Sequence, residues 1–268
     1  MTALQSAIRS AIQPAIRSAF AGSYGWLPTS LFAAGEQGVW YDPSDLSTMF
    51  QDVAGTVPVT ADGQLVARIN DKSGKGNHAT QATEASRPLY KTSGGLHWLQ
   101  FDGVNDSLAT AAIDFLGSDK ISLFTAAYKA SDVARTAICA LGGATQGFRL
   151  YGSHPAGNAN IMWESGGSVV TGIASSNAAP VTRVLTGLCN ISGDSSTLRV
   201  NGASTSSAAD RGTGVYSTAA ITVGARGAAD LPLNGYVYGL IVRNVLSVAA
   251  EITAAESYMA AKSGVTLP

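Results

Sequence analysis

The chain has 268 residues, 46% of them hydrophobic, with 17 Lys and Arg against 18 Asp and Glu for a formal net charge of −1. Balanced charge provides no global field for nucleic acid or an anionic membrane, and a charged fraction of only 13% argues against a long coiled coil. No stretch approaches the ~18 consecutive apolar residues of a membrane span.

Leu4, Ile8, Ile12, Ile16 and Phe20 recur every four residues and form one apolar helical face. Pro14 predicts a kink in that helix, and Gly22 and Gly25 end it. Two readings stay open for residues 1–25: a helix packed on its own domain, or an arm that docks on a neighbouring subunit. Residues 26–37 read as a linker. From about residue 38 the pattern changes to period two. Trp98–Phe101, Ile121–Ala126, Val181–Leu188 and Tyr236–Arg243 alternate in the manner of strands with one face toward a core. Leu198-Arg199-Val200 runs into Asn201-Gly202, a hairpin signal because both turn positions require positive φ. Many short strands separated by Gly, Asn and Asp predict an all-β sandwich rather than βαβ units. A last helix follows, with Ser247 as its cap, Val248, Ile252, Ala255 and Met259 on one face, Lys262 near its end and Gly264 as its stop. Cys139 and Cys189 read as buried thiols. His78, His97 and His154 are dispersed, and no spacing suggests a metal site or any other cofactor.

Four stretches carry a family likeness in their order and spacing: Trp40–Asp45 with Met49–Asp52, Asp71–Ala79, Leu99–Leu108, and Asn234–Val242 with Leu246-Ser247. Together they resemble the concanavalin A-like, laminin-G-like jelly rolls of tailed-bacteriophage structural proteins, over roughly residues 38–265. The resemblance implies a two-sheet antiparallel jelly-roll sandwich at 38–268 with the short helix behind; the helical arm in front rests on the periodicity of residues 1–25 and gets no support from the resemblance. The resemblance also implies a virion protein: a tail fibre, a head fibre or a decoration component. For such proteins a homotrimer is the expected state, and the arm then serves as the attachment to other virion proteins.

The chemistry of the same stretches is mostly structural. Asp71–Asn77 is a tight polar loop and lacks the Gly-Lys-Ser/Thr and helix context of a phosphate cradle. Asp102-Gly103 and Asn105-Asp106 make an acidic turn; Asx-turn bonding explains it, and a calcium ion would need six to eight oxygens that this turn alone lacks. A glycoside hydrolase needs two paired carboxyl groups, and none of the glutamates, Glu164 included, pairs with another acid on a predicted strand. No catalytic residues are therefore assigned. For a sugar the best candidate is the loop after Tyr151, where Tyr151 and Trp163 would stack on a ring while His154 and Asn158 donate or accept hydrogen bonds. The alternative for Tyr151 and Trp163 is burial as strand or core residues. The sequence thus predicts a non-enzymatic virion protein with a possible host-glycan contact, or a decoration protein with no ligand.

Overall fold

The computed structural model describes residues 26–142, 145–227 and 230–268. The predicted attachment face at Leu4, Ile8, Ile12, Ile16 and Phe20 lies outside the described residues.

Strands run in chain order as β1 (Gly38–Tyr41), β2 (Met49–Phe50), β3 (Arg68–Ile69), β4 (Ala79–Thr80), β5 (Leu89–Ser93) and β6 (Leu96–Asp102). Then come β7 (Leu108–Ala109), β8 (Lys120–Lys129), β9 (Thr136–Leu141), β10 (Gly147–Ser153), β11 (Asn160–Gly166) and β12 (Val170–Ser176). The last are β13 (Val181–Asn190), β14 (Ser195–Val200), β15 (Ala203–Ser207), β16 (Ile221–Val223) and β17 (Asn234–Arg243), before helix α1 (Ala249–Ser263). They build two antiparallel sheets. Sheet A has the order β15-β14-β13-β8-β17-β6-β5, with β1 also paired to β17; sheet B has the order β12-β11-β10-β9-β16-β7-β4-β3-β2. This is the all-β sandwich that the alternation predicts.

Between the sheets lies the main core, to which sheet A gives Ile121, Leu123, Leu185 and Leu240, and sheet B gives Leu141, Phe148, Leu150 and Trp163. A second apolar cluster lies on the outer face of sheet A, where Phe124, Ala126, Val184, Tyr238 and Ile241 meet Ala255 and Met259 of α1. Strand β8 is therefore buried on both faces, which explains its nearly unbroken apolar run. Helix α1 is also tied down by polar bonds. Buried Glu256 accepts from Thr186 Oγ1 (2.8 Å) and from Arg199 Nε and Nη2 (2.7 and 3.0 Å). Tyr258 Oη and Lys262 Nζ both donate to Asp42 Oδ2, at 2.8 and 2.9 Å.

Residues 26–37, read as a linker, carry a 3-10 turn at Pro28–Phe32 that places Leu31 and Phe32 in the helix-side cluster, and Trp26 packs edge-on against Tyr258 at 6.3 Å. One expectation changes. Ser247 does not cap α1, because its N–H donates to Ser122 Oγ and its hydroxyl accepts from Arg243. The capping position is Val248, 64% exposed, whose N–H donates to Glu251 Oε2 (3.0 Å). Other local readings agree with the structure. Gly264 stops the helix at φ 71°, and Asn201-Gly202 turns the β14–β15 hairpin at φ 49° and 84°. Cys139 and Cys189 are free, buried thiols, and burial pushes the Cys139 thiol well up.

Candidate functional site

Strand β10 reads Phe148-Arg149-Leu150-Tyr151, with its apolar members Phe148 and Leu150 turned into the core. Arg149 and Tyr151 take the other face of sheet B, opposite Glu164 and Met162 of β11. Gly172 on the edge strand β12 makes room for those two side chains: a Cβ there would lie 2.3 Å from Met162 Cε and 3.3 Å from Glu164 Cγ.

Tyr151 is the hub of a polar cluster. Its hydroxyl accepts from Arg135 Nη2 (3.1 Å) and donates to Glu164 Oε2 (3.2 Å). The Arg135 guanidinium lies 4.8 Å from the ring centre, and the His154 ring sits at 4.7 Å. These covers leave Tyr151 fully buried although it belongs to an outer face. Burial and the Glu164 carboxylate raise its pKa; Arg135, Arg226 and Arg149 pull against that rise. His154 is held below the usual imidazole value by burial and by Arg135, against the opposing pull of Glu164, so its ring is neutral at neutral pH. Arg226 stands nearby, already engaged by Asp230 at 2.6 Å.

Charge is unequally matched here. Arg149 is 4% exposed; among the described residues its one ion pair is Glu164 at 3.9 Å, and its Nε has no hydrogen-bond acceptor. Arg135 Nε is likewise buried without an acceptor among the described residues. Glu164 interacts with Tyr151, Arg149 and His154, the last at 3.9 Å. No second carboxylate is among those partners.

The loop after β10 is anchored from below. Buried Lys129 bonds Asp132 Oδ1 (2.6 Å) and Ala159 O (2.9 Å), and Gly157 N–H donates to Asp132 O (2.8 Å). Asn158 serves the loop itself: its Oδ1 accepts from Asn160 N–H (3.0 Å) and its carbonyl accepts from Ser153 Oγ (2.8 Å).

The four residues singled out from sequence therefore divide. Tyr151 and His154 come together. Asn158 sits half-buried at the tip of the same loop. Trp163 does not join them: it is fully buried between the sheets, stacked on Phe148 at 5.5 Å, with Nε1 donating to Ser196 Oγ (3.0 Å). Its ring presses on Gly187, where a Cβ would come within 2.6 Å. Trp163 therefore cannot stack on a sugar, and neither can Tyr151, whose ring has no open face. Sequence reasoning missed Arg135, Arg149 and Arg226 altogether. One signal was present, a single charged residue inside the apolar run of β10.

The family-like stretches are structural fastenings. Asp71 accepts from Trp40 N–H, Ser73 N–H, Ser73 Oγ and Asn77 N–H at 2.6–3.0 Å. Asn77 Nδ2 in turn donates to Gly38 O (2.7 Å). In the acidic turn Asp102 Oδ1 accepts from Val104 and Asn105 N–H, and Asp106 Oδ2 accepts from Asp102 N–H. That is Asx-turn bonding, and among the described residues no group of acids, His or Cys is arranged to hold a metal ion.

No family model and no curated protein matches the chain. Solved structures share its fold. One is the receptor binding domain of botulinum neurotoxin D (TM-score 0.55, 13% identity, covering 71% of this chain and 50% of that one). A second is the binding domain of paraclostridial mosquitocidal protein 1 (TM-score 0.55, 13% identity, 75% and 51%). A third is the botulinum neurotoxin serotype D ligand binding domain in complex with N-acetylneuraminic acid (TM-score 0.54, 12% identity, 74% and 51%). At such identities the likeness shows the fold alone, and this chain spans about half the length of each neighbour.

Proposed function

We propose that this chain is a non-enzymatic virion protein of a tailed phage whose sandwich contacts a host-surface glycan through the outer face of sheet B. The observation that carries the binding role is the Arg149 cluster, where charged and hydrogen-bonding side chains converge on a sheet face with donors to spare. A hydrolase would need a second carboxyl group about 5–10 Å from Glu164 across the scissile bond, and the partners of Glu164 are a tyrosine, an arginine and a histidine. The virion assignment draws on the four sequence stretches that resemble phage jelly rolls. Support for a glycan comes from the fold neighbour solved with N-acetylneuraminic acid. Attachment through residues 1–25 and a trimeric state belong to the same proposal. Individual sugar contacts are weak, so many copies on a particle would act together.

The test is adsorption. Purified protein labelled with a fluorophore should bind host cells and compete with whole particles for them, and labelled antibody should decorate intact particles in electron micrographs. Protein that binds no cell and no member of a glycan array removes the adhesin reading. Particles that never take up antibody remove the virion reading.

A further inference from the structure

Among the described residues three arginines are buried, and each keeps a guanidinium nitrogen without an acceptor (Arg149 Nε, Arg243 Nε, Arg211 Nε and Nη2); they differ in the partners of their other nitrogens. Arg243, 3% exposed, faces two carboxylates, Glu36 and Glu251, each at 2.9 Å. Arg211 is fully enclosed and donates to the carbonyls of Ser165 (3.1 Å) and Thr171 (2.6 Å), out of reach of any ligand. Arg149 is the third. It is as buried as Arg243, yet it has one loose carboxylate contact, shared with a neighbourhood that includes Arg135. The site borders solvent, because the His154 and Glu164 side chains beside it are 18% and 20% exposed.

We propose that the Arg149–Arg135 pair receives the carboxylate of an acidic sugar, with Glu164 as the internal anion that holds the pair until the ligand arrives. This rests on the reading of the cluster as a binding site and names its ligand class. Two guanidinium groups against one carboxylate leave a surplus positive charge, and a buried cation short of acceptors favours an incoming anion. A planar carboxylate matches the fork of an arginine in a two-bond arrangement, which a neutral hydroxyl cannot supply. Neutral His154, whose side chain is partly exposed, adds a hydrogen-bonding group without adding charge. Glu164 Oε2 lies 3.9 Å from Arg149 Nη1 and competes with an outside carboxylate for that guanidinium, so removing the charge of Glu164 strengthens binding of the ligand.

The experiment titrates the full chain calorimetrically with sialyllactose, a glucuronate-terminated disaccharide, lactose and inorganic sulfate. At least one carboxylated sugar should bind at least about tenfold more tightly than lactose, with affinity falling as salt rises. The two carboxylated probes decide which acidic sugar fits. Arg149→Gln should weaken that binding by at least about tenfold, and Glu164→Gln should tighten it several-fold, a gain that misfolding cannot mimic. Lactose or sulfate binding as well as the carboxylated sugars overturns the proposal, as does Glu164→Gln weakening it. Lactose binding alone leaves the glycan-adhesin reading standing; binding of no sugar at all removes both.

Discussion

Asp71 and Arg149 are both buried charged residues, 9% and 4% exposed, yet they live opposite lives. Asp71 is met by four donors from three residues, and the loop around it fastens β1 to the rest of the domain. Arg149 sits across from Glu164 with a 3.9 Å contact and a bare Nε. A charge whose hydrogen bonds are complete is spent on folding. One whose bonds are incomplete weakens the fold; Arg211 and Arg243 also keep unbonded nitrogens, and Arg149 differs from them in its loose carboxylate contact beside partly exposed side chains. The contrast separates the fastenings of this sandwich from the face proposed to bind, and it can be broken experimentally.

The largest expected effect sharpens the core side of the contrast. Trp163→Ala removes the ring between the sheets and should lower unfolding stability by about 3–5 kcal/mol, read from urea melts. A loss under 1 kcal/mol, about the worth of a surface substitution, would return Trp163 to the list of ligand contacts. Next comes Asp71→Ala, which strands the Trp40 and Asn77 amides and should lower stability by about 2–4 kcal/mol while cell binding of the folded protein stays unchanged. If binding falls while stability holds, Asp71 is no fastening.

Asp106 tests a buried carboxylate that is not compensated. Burial and the neighbouring Asp102 charge push its pKa to about 6. The folded state therefore keeps a proton that the unfolded chain gives up near pH 4, and the protein loses stability as pH rises from there to about 6. Asp106→Asn should remove that slope and raise stability above pH 7 by about 1–3 kcal/mol, with little change at pH 4. Melting temperatures across pH 4–8 check this; a slope that survives in the variant refutes it. The smallest effect has the opposite sign to the Asp71 case. Arg149→Met replaces an incompletely bonded buried charge with a flexible apolar side chain, and stability should hold or rise by about 1 kcal/mol while sugar binding disappears. A marked loss of stability would place Arg149 with the fastenings.

Much of this fold was legible. Alternation marked β8, β13 and β17, whose alternate side chains go to the inter-sheet core and to the helix-side cluster, and Asn201-Gly202 marked its hairpin because the backbone there has to take positive φ. The two-residue strands β2, β3, β4 and β7 were not legible, since two residues show no period; only pairing across sheet B defines them. The site was half legible. Tyr151 near the end of β10 and His154 just after it are close in sequence and read together, whereas Arg135, Glu164 and Arg226 come from distant parts of the chain that the fold brings together. Trp163 was misplaced because it lies near that loop in sequence. The alternation of Ile161 and Trp163 against Met162 and Glu164 already put it on the inward side.

Trp26 rests on Tyr258 of the helix, behind sheet A, while Arg149 and His154 look out from sheet B on the far side of the sandwich. The domain thus has a back and a front. A scaffold that grips the chain just ahead of Trp26 would leave the arginine face pointing outward, and a pull on a bound cell would pass through the thickness of both sheets to the helix. The bonds of Tyr258 and Lys262 to Asp42 lie at the rear end of that line of force, so their strength bears on how much tension the anchorage withstands.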